Sequence, residues 1–208
     1  GDGMTESTVV DADAPTTVPH TYDVAGVYVV KVFVTSNVDF IELTTEYVVV
    51  FDPGGGSASG GGFFASQAGA IVAQPDREAI AAFGMSARNR KFFEIPLGRA
   101  RFRIGPTLSV QVDRYEWLAV TGGSAVVKGT GRVGFKSAPG GGDYHMIIRV
   151  GDARRSGSDA ITQDEIQLEV WYVDEGETVV VYDNLPEVDA ATEIGGSRVA
   201  PGFVRIRG

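Results

Sequence analysis

The sequence predicts an all-β protein, and two observations carry that prediction. First, runs of β-branched and aromatic residues alternate with a period of two, as in GVYVVKVFVT at 26–35. This alternation is typical of strands that have two different faces. Second, glycine, aspartate, asparagine and proline separate these runs at short intervals, as in β-sandwiches and barrels.

The same pattern predicts further strands along the chain. In order, they lie at 39–51, 99–105, 108–112, 115–121, 124–135, 144–150, 164–173, 178–183 and 203–208. The one helix candidate is PDREAIAAFGM at 75–85, where Pro75 suits a first helical turn and two acidic residues lie near the start. We expect one or two helical turns there, or no helix.

The distribution of charge predicts two domains. Residues 1–53 contain nine acidic and one basic side chain, a net charge of −8, and residues 54–208 contain 18 acidic and 17 basic ones, a net charge of −1. The charge balance changes at a Gly/Ser-rich stretch, which is flexible in most proteins. We therefore expect a first domain at 1–53, a linker at 54–62 and a second domain at 63–208. The alternative is a long glycine-rich loop within one domain.

The composition disfavours an enzyme. The chain has no cysteine and two histidines, which excludes thiolate chemistry and zinc sites built from several histidines. It contains neither a G-x-S-x-G nucleophile motif nor a phosphate-binding P-loop. No apolar run reaches the ~18–20 residues of a membrane span. We expect no catalytic residues and no membrane span in this segment.

Calcium is the one metal for which the sequence offers candidate ligands. Asp11 and Asp13 have the alternate spacing that lets two carboxylates flank one ion, and Asp23 follows in the same acidic segment. Calcium prefers several oxygen ligands, and acidic loops supply them. Asp152 and Asp159 are a second option. The prediction is either no cofactor or a calcium ion held by the first three.

A basic segment at 88–103 combines six basic side chains with Phe92, Phe93 and Phe102. Bases interleaved with aromatic rings are found on single-stranded nucleic-acid platforms. The simpler interpretation is a β-hairpin whose aromatic rings face the core while its bases face water. We prefer it, because the chain is acidic overall and phosphate contacts need basic surfaces. We therefore expect no nucleic-acid partner.

Three arginines of this segment alternate with apolar residues, as on a half-buried strand. They are Arg99, Arg101 and Arg103. This arginine stripe complements the acidic segment 1–53, which suggests a contact within one chain or head to tail between copies. Repeated head-to-tail contacts build filaments when the rotation does not close.

The opening segment resembles the second half of a PKD domain, an immunoglobulin-like β-sandwich. The resemblance rests on GDG at 1–3 and HTYDVAGVYVVKVFVT at 20–35. The matching residues are His20, Thr21, Tyr22, Gly26, Tyr28 and Val30. A complete PKD domain has about three strands before its GDG turn. The resemblance therefore implies a partial sandwich, completed by preceding sequence or by another chain.

Most of the remaining chain resembles the β-rich domain that follows PKD domains in secreted bacterial proteins. The similar segments include VVVFDPGGG at 48–56, AAFGMSARNRK at 81–91 and DEIQLEVWYVDEGETVVVYDN at 164–184. This resemblance implies a second β-sandwich or jelly-roll-like domain and an extracellular or cell-surface location. It brings no catalytic motif.

Two functions follow as expectations. The first is a non-enzymatic structural or adhesive module of a larger bacterial surface or secreted protein, which contacts other copies of itself or other surface proteins and assembles into filaments. The second is a polysaccharide-binding accessory module of a secreted hydrolase. The second needs solvent-facing rings, for which the candidates are Tyr115, Trp117, Trp171 and Tyr172.

Overall fold

The computed structural model describes residues 3–9, 17–35, 39–44, 47–52, 54–135, 143–155, 163–187 and 196–208. In these ranges the chain forms β-strands and no helix, which confirms the all-β prediction. The strands are β1 (Gly26–Tyr28), β2 (Lys31–Thr35), β3 (Phe40–Thr44), β4 (Val48–Val50), β5 (Ser57–Ser66), β6 (Ala79–Arg90), β7 (Phe93–Ile104), β8 (Leu108–Thr121), β9 (Ser124–Phe135), β10 (Tyr144–Gly151), β11 (Glu165–Asp174), β12 (Glu177–Asp183), β13 (Ser197–Arg198) and β14 (Gly202–Arg207).

Ten of these strands form one large antiparallel sheet. Its order is β12-β11-β10-β9-β8-β7-β6-β5-β14, and β13 pairs with β11 beside this path. Most neighbours are sequential hairpins, as expected where short polar or glycine turns join long alternating strands. The sheet curls around a single large apolar core in a sandwich-like manner.

Side chains close the β14 edge of the curled sheet. The Val204 amide donates to Asp164 Oδ2 at 2.8 Å, and the Ile206 amide donates to Asp152 Oδ2 at 3.0 Å. Both aspartates lie just beyond the paired ends of β10 and β11. The outward-facing amides of β14 are therefore satisfied without another strand, which removes an exposed edge.

The opposite edge of the sheet is covered by the connection between β5 and β6. Ile71 forms an antiparallel bridge with Tyr182 of β12. The Asp183 amide donates to the Ala70 carbonyl at 2.9 Å. Both ends of the main sheet are thus protected.

The core consists of alternate residues on the inner face of the main sheet. Its largest fully buried members are Tyr115, Tyr182, Ile71, Ile104, Leu118, Met146, Ile148, Ile166, Leu168 and Ile206. Because the side chains of a strand point alternately to opposite faces, the residues between them face outward. This places the polar side chains discussed below on the outer surface.

Two small sheets precede the main sheet in the chain, namely β1 with β4 and β2 with β3. The β1–β4 pair covers part of the outer face of the main sheet. Val27 and Tyr47 there pack against a second apolar cluster of Val126, Ile147 and Trp171. The segment before residue 53 therefore contacts the rest of the chain through apolar side chains.

Of the two alternatives for residues 75–85, the structure shows the one without a helix. Residues 79–85 belong to β6, in which Ala81, Phe83 and Met85 are buried while Gly84 and Ile80 are exposed. Burial along β6 therefore alternates with a period of two, and the apolar core on one side of the strand stabilises this arrangement. The alanines favour a helix locally, so pairing of β6 with its two long neighbours overrides the local propensity.

Residues 57–62, within the predicted linker at 54–62, form the first part of β5. Before it, the Asn89 side-chain amide donates to the carbonyls of Gly55 and Asp52, at 2.7 and 3.1 Å. The glycines of β5 allow the backbone of β14 to approach closely, since a Cβ on Gly60 would lie 2.8 Å from the Phe203 carbonyl oxygen. The division into two domains stays a prediction.

Candidate functional site

Seven exposed arginines lie on the outer face of the main sheet, on β6, β7, β9 and β14. This arginine face comprises Arg88, Arg99, Arg101, Arg103, Arg132, Arg205 and Arg207. The residues between the three arginines of β7, such as Ala100 and Phe102, are buried. Burial of the apolar positions therefore forces the arginines outward.

The strand register brings an arginine from the middle of the sequence and one from near its end to two sides of a shallow trough. Arg205 on β14 is opposite Ser59, Ser59 is opposite Ser86, and Ser86 is opposite Arg99 on β7. Three strand spacings of ~4.8 Å separate the two arginine Cα atoms by about 14 Å. We call this the arginine trough. Its floor carries small residues, namely Ser57, Ser59, Gly61, Gly84 and Ser86, and Arg88, opposite Ser57, adds a guanidinium at one end.

A groove of about 610 Å³ adjoins the trough on the other side of β7. Arg101 and Arg103 line one side of this groove, and Arg132 lines the other. Ser109 and Gln111 lie between them. The arginines of β7 are therefore accessible from both sides.

One arginine of the face is paired within the chain. Arg132 donates to both Asp113 carboxylate oxygens, at 2.7 and 3.0 Å, and the Gln111 amide donates to the same carboxylate at 2.8 Å. The Arg132 guanidinium, followed by the Gln111 amide, lowers the pKa of Asp113. Across the described residues, no salt bridge engages the other six arginines.

This arrangement can bind anions. A guanidinium is planar, stays charged and donates two parallel hydrogen bonds to a carboxylate. Several guanidinium groups on both sides of a floor of small residues suit a narrow acidic partner, because small side chains let its backbone approach closely.

A second candidate surface is the hairpin of β2 and β3. Val32, Val34, Ile41 and Leu43 share one of its faces, and each is between 41% and 58% exposed. On the other face Phe33 and Phe40 stack with centroids 5.8 Å apart and are also exposed. In the described part of the chain, no further strand pairs with either edge.

The expectation that the three aromatic rings of the basic segment face the core is wrong for two of them. Phe102 is buried in the core, but Phe92 and Phe93 are 90% and 52% exposed at the turn between β6 and β7. Arg90 lies over the Phe93 ring, 5.0 Å from its centroid. Phe92 occupies the turn itself, where no inner face exists to bury it.

Of the three proposed calcium ligands, one lies in the described part of the chain. Asp11 and Asp13 lie outside the described residues, and so does Asp159. Asp23 is exposed. The described residues contain no group of three or more acidic or histidine side chains able to hold a metal. The calcium site stays a prediction.

Asp152 has a structural role that explains its burial. It is 3% exposed, and its Oδ1 accepts from the Arg154 amide at 3.0 Å while Oδ2 accepts from Ile206. Sequence reasoning missed this role, because Ile206 is far from Asp152 in the chain. A lone aspartate after a strand carries no signal that distinguishes this contact from an ordinary turn.

The four rings proposed to bind sugar are either buried or packed against other aromatic side chains of the protein. Tyr115 and Trp171 are 2% and 8% exposed. Tyr47 packs edge-on against Trp117, and Tyr144 packs edge-on against Tyr172. His145 stacks on Trp171 with centroids 5.7 Å apart. These rings do not form a solvent-facing platform.

Sequence reasoning also missed the contribution of β14 to the arginine face. Arg205 and Arg207 alternate with buried Val204 and Ile206. That alternation was visible in the sequence, but the position of β14 next to β5 was not. Pairing between distant strands is a property of the whole sheet.

No family model, curated protein or solved structure matches the chain in the three comparisons.

A search of the described residues finds no helix of the length and apolarity that a membrane span requires.

Proposed function

We propose that the chain is a non-enzymatic structural or adhesive module of a larger bacterial surface or secreted protein, and that it works by associating with copies of itself. The exposed hairpin of β2 and β3 is the single observation that carries this proposal. The extracellular setting is supported by the resemblance to PKD-containing proteins.

The hairpin is energetically incomplete on its own. An isolated two-stranded hairpin is marginally stable in water, and stable sheets cover their apolar faces. Here both faces carry large exposed apolar side chains, including Val34, Ile41 and Phe33. Contiguous apolar patches of this kind mark protein contacts. A second copy packed on the face that contains Val34 and Ile41 would bury it.

The alternative, a polysaccharide-binding accessory module, has less support. The rings on which it depended are buried or packed against other aromatic side chains. We therefore place the self-associating module first.

Light scattering on the double variant Val34→Thr, Ile41→Thr tests this function. Threonine keeps the β-branched shape but adds a hydroxyl, so the hairpin can form while its face becomes polar. We expect the wild-type chain to associate with increasing concentration and the variant to associate at least tenfold more weakly. Ile80→Thr, an exposed apolar position on β6, is the matched control and should behave like wild type. A wild-type chain that stays at 22.0 kDa at every concentration would reject the function.

A further inference from the structure

The turn between β11 and β12 forms a compact acidic tip. Asp174 and Glu177 are paired across the hairpin, and Glu175 lies between them. All three side chains are exposed. Glu175 and Gly176 have φ values of +49° and +89°, the two positive values of a tight hairpin turn. The tip therefore presents three carboxylates on two strands.

The acidic tip differs from two described acids of the first segment, Glu6 and Glu42, which have partners with basic side chains. Glu6 bonds to His20 at 3.0 Å, and Glu42 bonds to Lys31 at 3.3 Å. By contrast, no cation among the described residues forms a salt bridge with the tip. The tip is thus an acidic group available to another molecule.

The dimensions of the tip fit the arginine trough. Two paired strands are ~4.8 Å apart, so a hairpin tip with its side chains is about 10 Å wide. The trough measures about 14 Å between the Cα atoms of Arg205 and Arg99, and its floor is made of small residues. The tip can therefore enter with arginines on both sides.

The charge distribution favours a second copy over a foreign polyanion as the occupant. The arginine face has a net charge of +6, from seven arginines and Asp113, while the chain as a whole has −9. The remainder of the chain thus carries −15. A polyanion approaching the trough is repelled by this remainder, whereas a second copy can align its acidic part with the basic face.

We propose that the acidic tip of one copy binds the arginine trough of the next, with carboxylates of Glu175 and Glu177 bonded to Arg99 and Arg205. The two surfaces are different, so the contact is heterologous and leaves a free tip and a free trough at the ends. Repetition builds a filament or a ring. This inference rests on the proposed self-association and adds a second contact to the one made by the hairpin of β2 and β3.

Mixing two charge-reversed variants tests the contact. The trough variant is Arg99→Glu, Arg205→Glu, and the tip variant is Glu175→Lys, Glu177→Lys. Each should lose the contact by itself, because its reversed surface repels the intact surface of an identical copy. A mixture should form one-to-one complexes through the intact tip of the first and the intact trough of the second. Asp76→Lys, Glu78→Lys changes the charge by the same amount as the tip variant at exposed positions on another connection, and should assemble like wild type.

The outcomes separate this inference from the proposed function. To isolate the tip–trough contact, both variants carry Val34→Thr and Ile41→Thr, and circular dichroism checks that each remains folded. One-to-one complexes in the mixture, lost at ~1 M salt where the Debye length is ~3 Å, support the contact. The reference for both charge variants is the chain with Val34→Thr and Ile41→Thr alone. If that chain assembles and both charge variants assemble as well as it does, the inference fails while the function, tested on wild type, stands. If wild type never associates, the function itself fails, and the inference fails with it.

A polyanion as the occupant would give a different result. In that case the mixture would not associate, and the wild-type chain would bind polygalacturonate at low salt while the trough variant would not. This result would overturn the second copy as the partner. Milder neutral variants, Arg99→Gln with Arg205→Gln, serve if the reversed trough does not fold, and should weaken assembly in the same direction.

Discussion

The carboxylate of Asp152 accepts a hydrogen bond from the backbone amide of Ile206 at 3.0 Å, and this bond joins the end of β10 to the free edge of β14. Asp164 makes the same kind of bond to Val204 at 2.8 Å. Together the two carboxylates take the place of a neighbouring strand. They hold β14, and with it Arg205 and Arg207, in the position that forms one side of the arginine trough.

We expect Asp152→Ala to lower the free energy of unfolding by about 2–4 kcal/mol, because it leaves buried amides without an acceptor. Urea unfolding followed by circular dichroism measures the change. Asp143→Ala, at an exposed aspartate just before β10, is the control and should change stability by less than about 0.5 kcal/mol. Equal stability of the two variants would contradict the structural role of Asp152.

Gly98 on β7 lets the Ser86 carbonyl of β6 lie so close that no side chain would fit at position 98. Its φ is +146°, and a Cβ there would lie 1.9 Å from the Ser86 carbonyl oxygen. We expect Gly98→Ala to cost at least about 2 kcal/mol in thermal or urea unfolding. Gly84→Ala on β6 is the matched control, since a Cβ there meets nothing within 4 Å. The register of β6 and β7 would be wrong if Gly98→Ala proved as harmless as the control.

The carboxyl group of Asp183 makes the free energy of unfolding depend on pH, and the direction of its pKa shift sets the sign of that dependence. Burial raises the pKa of its carboxyl, although bonds from the Leu185 amide and the Gln167 side chain oppose the shift. A raised pKa means that the folded state holds the proton more tightly, so this group lowers stability as pH rises from about 4 through its folded pKa. Relative to wild type, Asp183→Asn should therefore gain stability between about pH 4 and pH 7, by less than about 1 kcal/mol. A relative loss over that range, seen in urea midpoints, would contradict the assignment.

Glu175 occupies a left-handed position that asparagine tolerates better. Its φ is +49°, and the following Gly176 is also positive. We expect Glu175→Asn to raise the free energy of unfolding by about 0.5–1 kcal/mol, because both strain and repulsion within the tip decrease. Glu177→Gln also removes one negative charge but leaves the turn unchanged, so it should raise the free energy of unfolding by less than Glu175→Asn does. Equal gains would show that repulsion alone matters.

The strands could be predicted from the sequence because burial imposes a period of two. The alternation at 203–208 matches β14, and that at 99–105 matches the second half of β7. At 75–85 the sequence left a short helix and no helix as alternatives, since small residues fit more than one period and only the neighbours of β6 decide between them. The glycines at 60–62 signalled flexibility, but their backbone is paired on both sides, with β6 and β14.

The candidate site was harder to predict than the strands. The arginines of β7 were visible as a stripe, but their partners across the trough lie about a hundred residues later in the chain. Only the strand order places Arg205 opposite Ser59 and in line with Arg99. Likewise, the acidic turn at 174–177 was visible, but only the fold shows that no basic side chain among the described residues forms a salt bridge with it.

Light scattering of the wild-type chain across protein concentrations, at low salt and at ~1 M salt, tests the central claim of self-association most directly. We expect a mass that rises above 22.0 kDa with concentration at both salt levels, because salt does not screen the apolar contact of the β2–β3 hairpin. The rise should be smaller at ~1 M salt, where the tip–trough contact is lost. A constant mass of 22.0 kDa under both conditions would contradict it.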